Sequence, residues 1–218
     1  MKIKKRKIMK KLNVMLLALA LFAAIGAQAQ DNMETKTSKF NIIAFGGIGY
    51  GIMDNDNAPN YNMNSNTGDL LLNYRIHSKF GIATGVGFNQ LSGNGFNTVG
   101  NFYHERMLVR IPLLLTFNKE VADKFSIIGH LGPYAQNVFK DEYTFNTAKI
   151  EDVYDGWNFG FQLGLGFVYQ IEPHFGVGIN YTGQSDFTQL ETRNNQVISD
   201  EQKLKNMNTF GLILQFNL

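Results

Sequence analysis

The sequence predicts an all-β fold, an eight-stranded antiparallel up-and-down transmembrane β-barrel preceded by a cleavable signal peptide. Three observations lead there. In WNFGFQLGLGFVY, residues 157–169, Trp157, Phe159, Phe161, Leu163, Leu165, Phe167 and Tyr169 share one face of a strand. Asn158, Gly160, Gln162, Gly164, Gly166 and Val168 share the other, a face too small for an ordinary core and without the Lys or Glu that meets water. A strand with one face for hydrocarbon and the other for a narrow polar interior belongs in a transmembrane barrel. The second observation is that the connections between such segments alternate long and short, as hairpins joined by periplasmic turns and extracellular loops require. The third is the N-terminus.

There, seven Lys and Arg residues precede the apolar run 12–27, and Ala27-Gln28-Ala29 supplies a small-residue cleavage site. The expected divisions are a signal peptide at 1–29, a short periplasmic lead at 30–38 and the barrel at 39–218. Removing the first segment leaves 13 basic against 18 acidic residues, a net charge of −5. The positive balance of the whole chain therefore belongs to export, and nucleic acid loses its support as a partner. With no cysteine, there is neither a disulfide framework nor a lipid anchor. After Ala29 no apolar run reaches the ~18 residues of a membrane helix, so any crossing is made by strands.

The first strand is expected over 39–53, with Phe40, Ile42, Ala44, Ile48, Tyr50 and Ile52 outward and glycines opposite. The Asn-rich 54–66 reads as a loop. Strand two, 67–76, turns Leu70, Leu72, Tyr74 and Ile76 outward and Asp69, Asn73 and Arg75 inward. Strand three, 80–90, repeats the aromatic-against-glycine pattern, and 92–101 reads as a Gly/Asn loop. Strand four, 102–117, places Met107, Val109, Ile111, Leu113, Leu115 and Phe117 outward, with His104, Arg106 and Arg110 on the inner face. Strand five, 124–138, contains Gly132-Pro133, which marks a bulge or edge irregularity and leaves its parity open. A charged loop, 139–155, follows, then strand six at 157–169, strand seven at 175–182, a long loop at 183–206 and the closing strand at 208–218.

A soluble sandwich or lipocalin also has about eight alternating strands, and the polarity of the faces decides between them. Inside a narrow barrel, Asp69, Asn73, Arg75, His104, Arg106 and Arg110 form the expected polar network, fixing strand register as a lumen plug. Basic residues outnumber the single inward acid, so a further counter-ion is expected, from Glu105 through a register shift or from a loop carboxylate. The acids Asp141, Glu142, Glu151, Asp152 and Asp155 read as an exposed loop face, and the DNDN at 54–57 as a solvated loop without the spacing of a calcium site. Trp157 and Tyr169 suit the two membrane interfaces. His104, and His130 with Ser126 on the same parity, have no nucleophile at a defined spacing, so no catalytic, cofactor-binding or metal residues are expected.

Thr209, Gly211, Leu214 and Phe216, within TFGLILQF, resemble the C-terminal signal by which outer-membrane barrels are recognised for insertion. RIPLLLTF at 110–117, HLGPYAQ at 130–136 and the alternating ending at 208–216 together resemble the outer-membrane β-barrel domain common in Bacteroidetes, related to PorT-like proteins of type IX secretion and to small OmpA- or OmpX-like barrels. That resemblance implies location in the cell outer membrane and, because the family shares no catalytic residues, leaves activity open. The expected function is that of a small monomeric barrel with a plugged lumen whose extracellular loops make surface contacts or support envelope integrity. An accessory role in type IX secretion is the alternative, ahead of a narrow pore or a lipid-modifying enzyme. The expected partners are outer-membrane lipid and lipopolysaccharide, the barrel-assembly machinery during insertion, and a secretion or surface protein.

Overall fold

Period-two alternation makes strands, and in this chain it makes long ones. The computed structural model describes residues 39–146, 148–192 and 200–218; the expected signal peptide and lead lie outside the described residues. Eight long strands are β1 (Phe40–Asn55), β2 (Tyr61–Arg75), β3 (Phe80–Asn97), β4 (Gly100–Ala122), β5 (Phe125–Phe145), β7 (Trp157–Glu172), β8 (Phe175–Asp186) and β10 (Glu201–Asn217). Two short ones, β6 (Lys149–Glu151) and β9 (Leu190–Glu191), pair with β5 and β10. Each long strand pairs antiparallel with the next, and β10 returns to β1, which closes the ring.

Closure carries a measurable stagger. Following paired residues from Trp157 through Asn137, Val109, Phe88, Gly68, Gly46, Leu212 and Ile179 returns to β7 at Phe167, ten positions along the strand. With eight strands, that shear tilts them by roughly 40° from the barrel axis. Within the ring the eight long strands leave no open edge among the described residues; β6 and β9 each pair on one side only.

The outward face is apolar where lipid would lie. Ile48, Leu163 and Leu212 are 70%, 59% and 61% exposed, a display that water would penalise and hydrocarbon favours. At the short-turn end, all eight long strands carry an outward aromatic, joined in four cross-strand pairs. These are Phe40–Tyr74, Phe80–Phe117, Phe125–Tyr169 and Phe175–Phe216, with ring centroids 5.0–5.5 Å apart. Tyr169 is therefore one member of a complete girdle, while Trp157 stands exposed at the opposite end of β7.

The expected loops are shorter than the sequence suggested. Strand continues to Asn55 and resumes at Tyr61, so most of 54–66 is ladder; 92–101 contracts to a tight hairpin between Asn97 and Gly100; and 139–155 and 183–206 each lose their first residues to β5 and β8. Asn-rich composition signalled a turn, but YNMNSN alternates, and Tyr61, Met63 and Ser65 face inward while the asparagines face out. Long connections are thus hairpins that protrude beyond the apolar band.

Gly132-Pro133 makes no bulge: pairing with β7 runs unbroken from Phe125 to Asn137. The register shift lies farther on, where Met107 pairs with Lys140 and Leu108 with Val138, leaving Phe139 as the extra residue. Before it the even positions of β5 face inward; after it Asp141, Tyr143 and Phe145 do. A second bulge, on β10 opposite Tyr50–Ile52, contains Asn206 with φ of 50°.

Candidate functional site

The lumen is filled in layers. Toward the short turns, Ile43, Leu71, Ala83, Leu114, Ile128, Val168 and Ile213 form an apolar layer, with Phe45 packed against it. Below them Asn73 donates to Asn41 and accepts from the Thr116 hydroxyl at 2.7 Å. A larger cluster including Met53, Tyr61, Met63, Leu91, Phe102, Tyr143 and Leu204 fills the other end. The expectation of a polar interior is corrected accordingly: polar groups form nodes between apolar layers. Inward Leu, Ile and Met are as good at filling a narrow barrel as hydrogen-bonded side chains.

Two arginines of β4 cross the barrel. Arg110 is fully buried; its Nη2 donates to Asp69 on β2 at 2.6 Å and its Nη1 to the Gln184 amide oxygen on β8. Arg106 donates through Nε to Asp141 on β5 at 2.6 Å and through Nη2 to Gln202 on β10 at 2.9 Å. His104 completes this second node: its Nε2 donates to Asp141 at 2.8 Å, and its Nδ1 accepts the Tyr61 hydroxyl at 2.7 Å. Tyr143 stacks on the His104 ring at 4.1 Å.

The counter-ion for Arg106 is thus Asp141, a residue expected on an exposed loop. The Phe139 bulge turns it into the lumen, where it is 1% exposed. Glu105 remains outside, paired with Lys140 at 2.8 Å. Arg75 ends β2 half-buried at the short-turn side, in neither arginine node. Asp54 shares Lys203 and Lys205 at 3.8 Å.

A third node was not legible in the sequence. Asp186, near the end of β8, accepts from Tyr134 at 2.6 Å, Gln136 at 2.9 Å, Asn158 at 2.6 Å and the Leu204 backbone N–H at 3.0 Å. Its advance signal was Asn158 on the polar face of 157–169, while the open parity of 124–138 hid Tyr134 and Gln136. The glycines of β7 serve this interior: a Cβ on Gly160 would lie 2.4 Å from the Tyr134 ring, and one on Gly164 2.1 Å from His130. They are seats for large side chains projecting from β5.

Outward neighbours of the Arg106 node include Asn62, Glu105 and Glu142, so the node stands beyond the apolar band. Burial lowers the His104 pKa to about 4 and keeps the ring neutral, outweighing the pull of Asp141. For Asp141, burial raises the pKa but is overcome by the Arg106 charge and the His104 hydrogen bond, which hold it at about 2. Desolvation pushes Tyr61 up to about 12. The node is an ion pair with a neutral imidazole and neutral phenols.

A loop closes the mouth above it. Val153 and Tyr154 are buried, the Tyr154 N–H donates to Asp141 at 3.2 Å, and the Arg106 guanidinium lies 4.8 Å from the Tyr154 ring centroid. The turn is set by Asp152 and Gly156, with φ of 57° and 98°. Below, the Phe45 ring packs tilted against His130, centroids 4.9 Å apart, and lines two cavities of about 10 and 20 Å³, each room for about one water. His130 is buried and Ser126, four residues nearer the turn, is half-buried; no contact joins them among the described residues. On β10, Thr209 is buried, Gly211 is half-buried, and Leu214 and Phe216 face outward.

No curated protein matches the chain. Among solved structures, it is similar to Ail, the attachment invasion locus protein of Yersinia pestis, at 13% identity and TM-score 0.43, covering 82% of this chain and 99% of that one. It is also similar to outer membrane protein OprG from Pseudomonas aeruginosa, at 13% identity and TM-score 0.49, covering 82% and 96%. The outer membrane protease OmpT from Escherichia coli is similar at 10% identity and TM-score 0.49, covering 86% and 99%. The profile of the outer membrane protein beta-barrel domain family matches residues 16–216, nearly the whole chain. This chain, with its closed ring and lipid-facing band, is therefore a member of the outer membrane protein beta-barrel domain family and resides in the outer membrane.

Proposed function

We propose that this protein is a sealed barrel that works at its surface, its protruding hairpins and loops making extracellular contacts or supporting envelope integrity. The filled lumen supports this reading: buried side chains of the arginine nodes and the apolar layers occupy it, and the two cavities beside Phe45 hold about one water each. A transported solute has no passage, and His104 is engaged by Asp141 and Tyr61 beneath a covered mouth, away from any lipid substrate. The reading predicts neither conductance nor lipid modification. Planar-bilayer recordings with discrete channels would overturn it, as would turnover of labelled lipid A or phospholipid that disappears in His104→Ala. A deletion strain is expected to show detergent or antibiotic sensitivity.

The finer kinship, with PorT-like accessory proteins of type IX secretion, is favoured by the motifs at 110–117 and 130–136. A pull-down from native membranes distinguishes the two: stoichiometric secretion partners support the accessory role, and a secretome unchanged by deletion sinks it.

A further inference from the structure

One sector of the outer wall differs from the rest. On β2 the apolar band stops at Leu70, and beyond Gly68 the outward side chains are Asn66, Asn64 and Asn62. On β3 it stops at Phe88, followed outward by Gln90, Ser92 and Asn94. The register sets Asn66 beside Gln90 and Asn64 beside Ser92, so the amides form one continuous patch. Tyr50 of β1 lies across from Asn64 and Tyr103 of β4 across from Asn94; both are exposed, at 58% and 41%.

Three features define what such a face can bind. Its five carboxamides are exposed and make no side-chain hydrogen bond among the described residues, so their donors and acceptors are available. The outward positions of β2 and β3 carry no charge, whereas the neighbouring wall of β4, β5 and β6 carries the paired Glu105–Lys140 and Glu142–Lys149. The patch begins where the hydrocarbon-facing band ends, at the depth of lipid headgroups. A phosphate or an ammonium headgroup calls for Lys, Arg or carboxylate. Sugar hydroxyls, each both donor and acceptor, pair with carboxamides, and the C–H face of a sugar ring packs on an exposed aromatic ring.

We propose that the Asn62–Asn64–Asn66 and Gln90–Asn94 face, flanked by Tyr50 and Tyr103, binds the neutral sugars of an outer-leaflet glycolipid. The acyl chains of that lipid lie against the band below, and its sugars lie on the amides. Binding here is independent of the lumen and of the loops.

The test uses the full chain in phosphatidylcholine nanodiscs doped with equal amounts of diglucosyl-diacylglycerol and phosphatidylglycerol, with co-purifying lipid measured by native mass spectrometry. The wild type is expected to retain the glucosyl lipid over phosphatidylglycerol by roughly threefold or more. Asn64→Ala/Gln90→Ala loses the preference, Asn64→Lys/Gln90→Lys turns it toward phosphatidylglycerol, and Glu105→Gln/Lys140→Gln leaves it intact. Gln90→Ala alone, expected to weaken the preference, serves if a double variant fails to fold. Equal retention by the wild type, a wild-type preference for phosphatidylglycerol, or a preference that survives loss of the amides overturns the proposal.

Discussion

Arg106 and Asp141 are each almost wholly buried, and each satisfies the other. Removing one member leaves a charge in a dry site, so Arg106→Ala or Asp141→Ala is expected to destabilise the barrel by about 3–5 kcal/mol, read from urea unfolding in detergent micelles. A well-packed double replacement, Arg106→Met/Asp141→Leu, is expected to recover much of that loss, because the desolvation of both charges disappears with them. The same node sets an acid limit. The His104 pKa is lower folded, about 4, than its ordinary 6.5, so the unfolded chain binds the proton first; its contribution is complete above pH 6.5 and is lost as pH falls toward 4. Asp141 follows, its contribution fading from pH 3.8 toward about 2. Unfolding midpoints measured across this range are expected to fall more steeply between pH 6.5 and 4 for the wild type than for His104→Asn; parallel curves would refute the assignment.

At the scale of the strand, one extra residue decides which side chains meet. Deleting Phe139 removes the bulge and turns Asp141, Tyr143 and Phe145 toward the outside, stripping Arg106 of its counter-ion and the upper core of two rings. The deletion is expected to abolish the compact, heat-modifiable band that folded barrels give on gels. This residue also explains why the sequence was only partly legible. Aromatic-against-glycine alternation announced eight strands, and because β2 and β4 are regular there, Asp69, His104, Arg106 and Arg110 fall on one parity of their strands and are buried. A bulge leaves no mark in composition, so Asp141 sat among acids that looked like a solvated loop. The same regularity was overlooked in YNMNSN, where asparagine masked a strand. The aromatic girdle was spread over eight segments, and only pairing across strands assembled it. A double-mutant cycle on Phe125→Ala and Tyr169→Ala is expected to give a coupling of about 0.5–1.5 kcal/mol, measured by unfolding in lipid.

At the scale of the barrel, residues 39–217 form a ring braced from within. Phe45→Ala is expected to merge the two small cavities without creating conductance, since Arg110 with Asp69 and Gln184 still spans the barrel above them; single-channel steps in that variant would show the upper seal to be leaky. The two arginines have a consequence for assembly. Both lie on β4, yet Gln184 and Gln202 come from β8 and β10, among the last strands in the chain. Until those strands arrive, each guanidinium is short of a partner, and a half-built wall would present it to lipid. Docking of β8 completes the Arg110 node, and ring closure completes the Arg106 node together with the β10–β1 seam, so a chain truncated before β10 is expected to give no heat-modifiable folded band. The fourth strand thus carries two charges whose full satisfaction waits on the end of the chain.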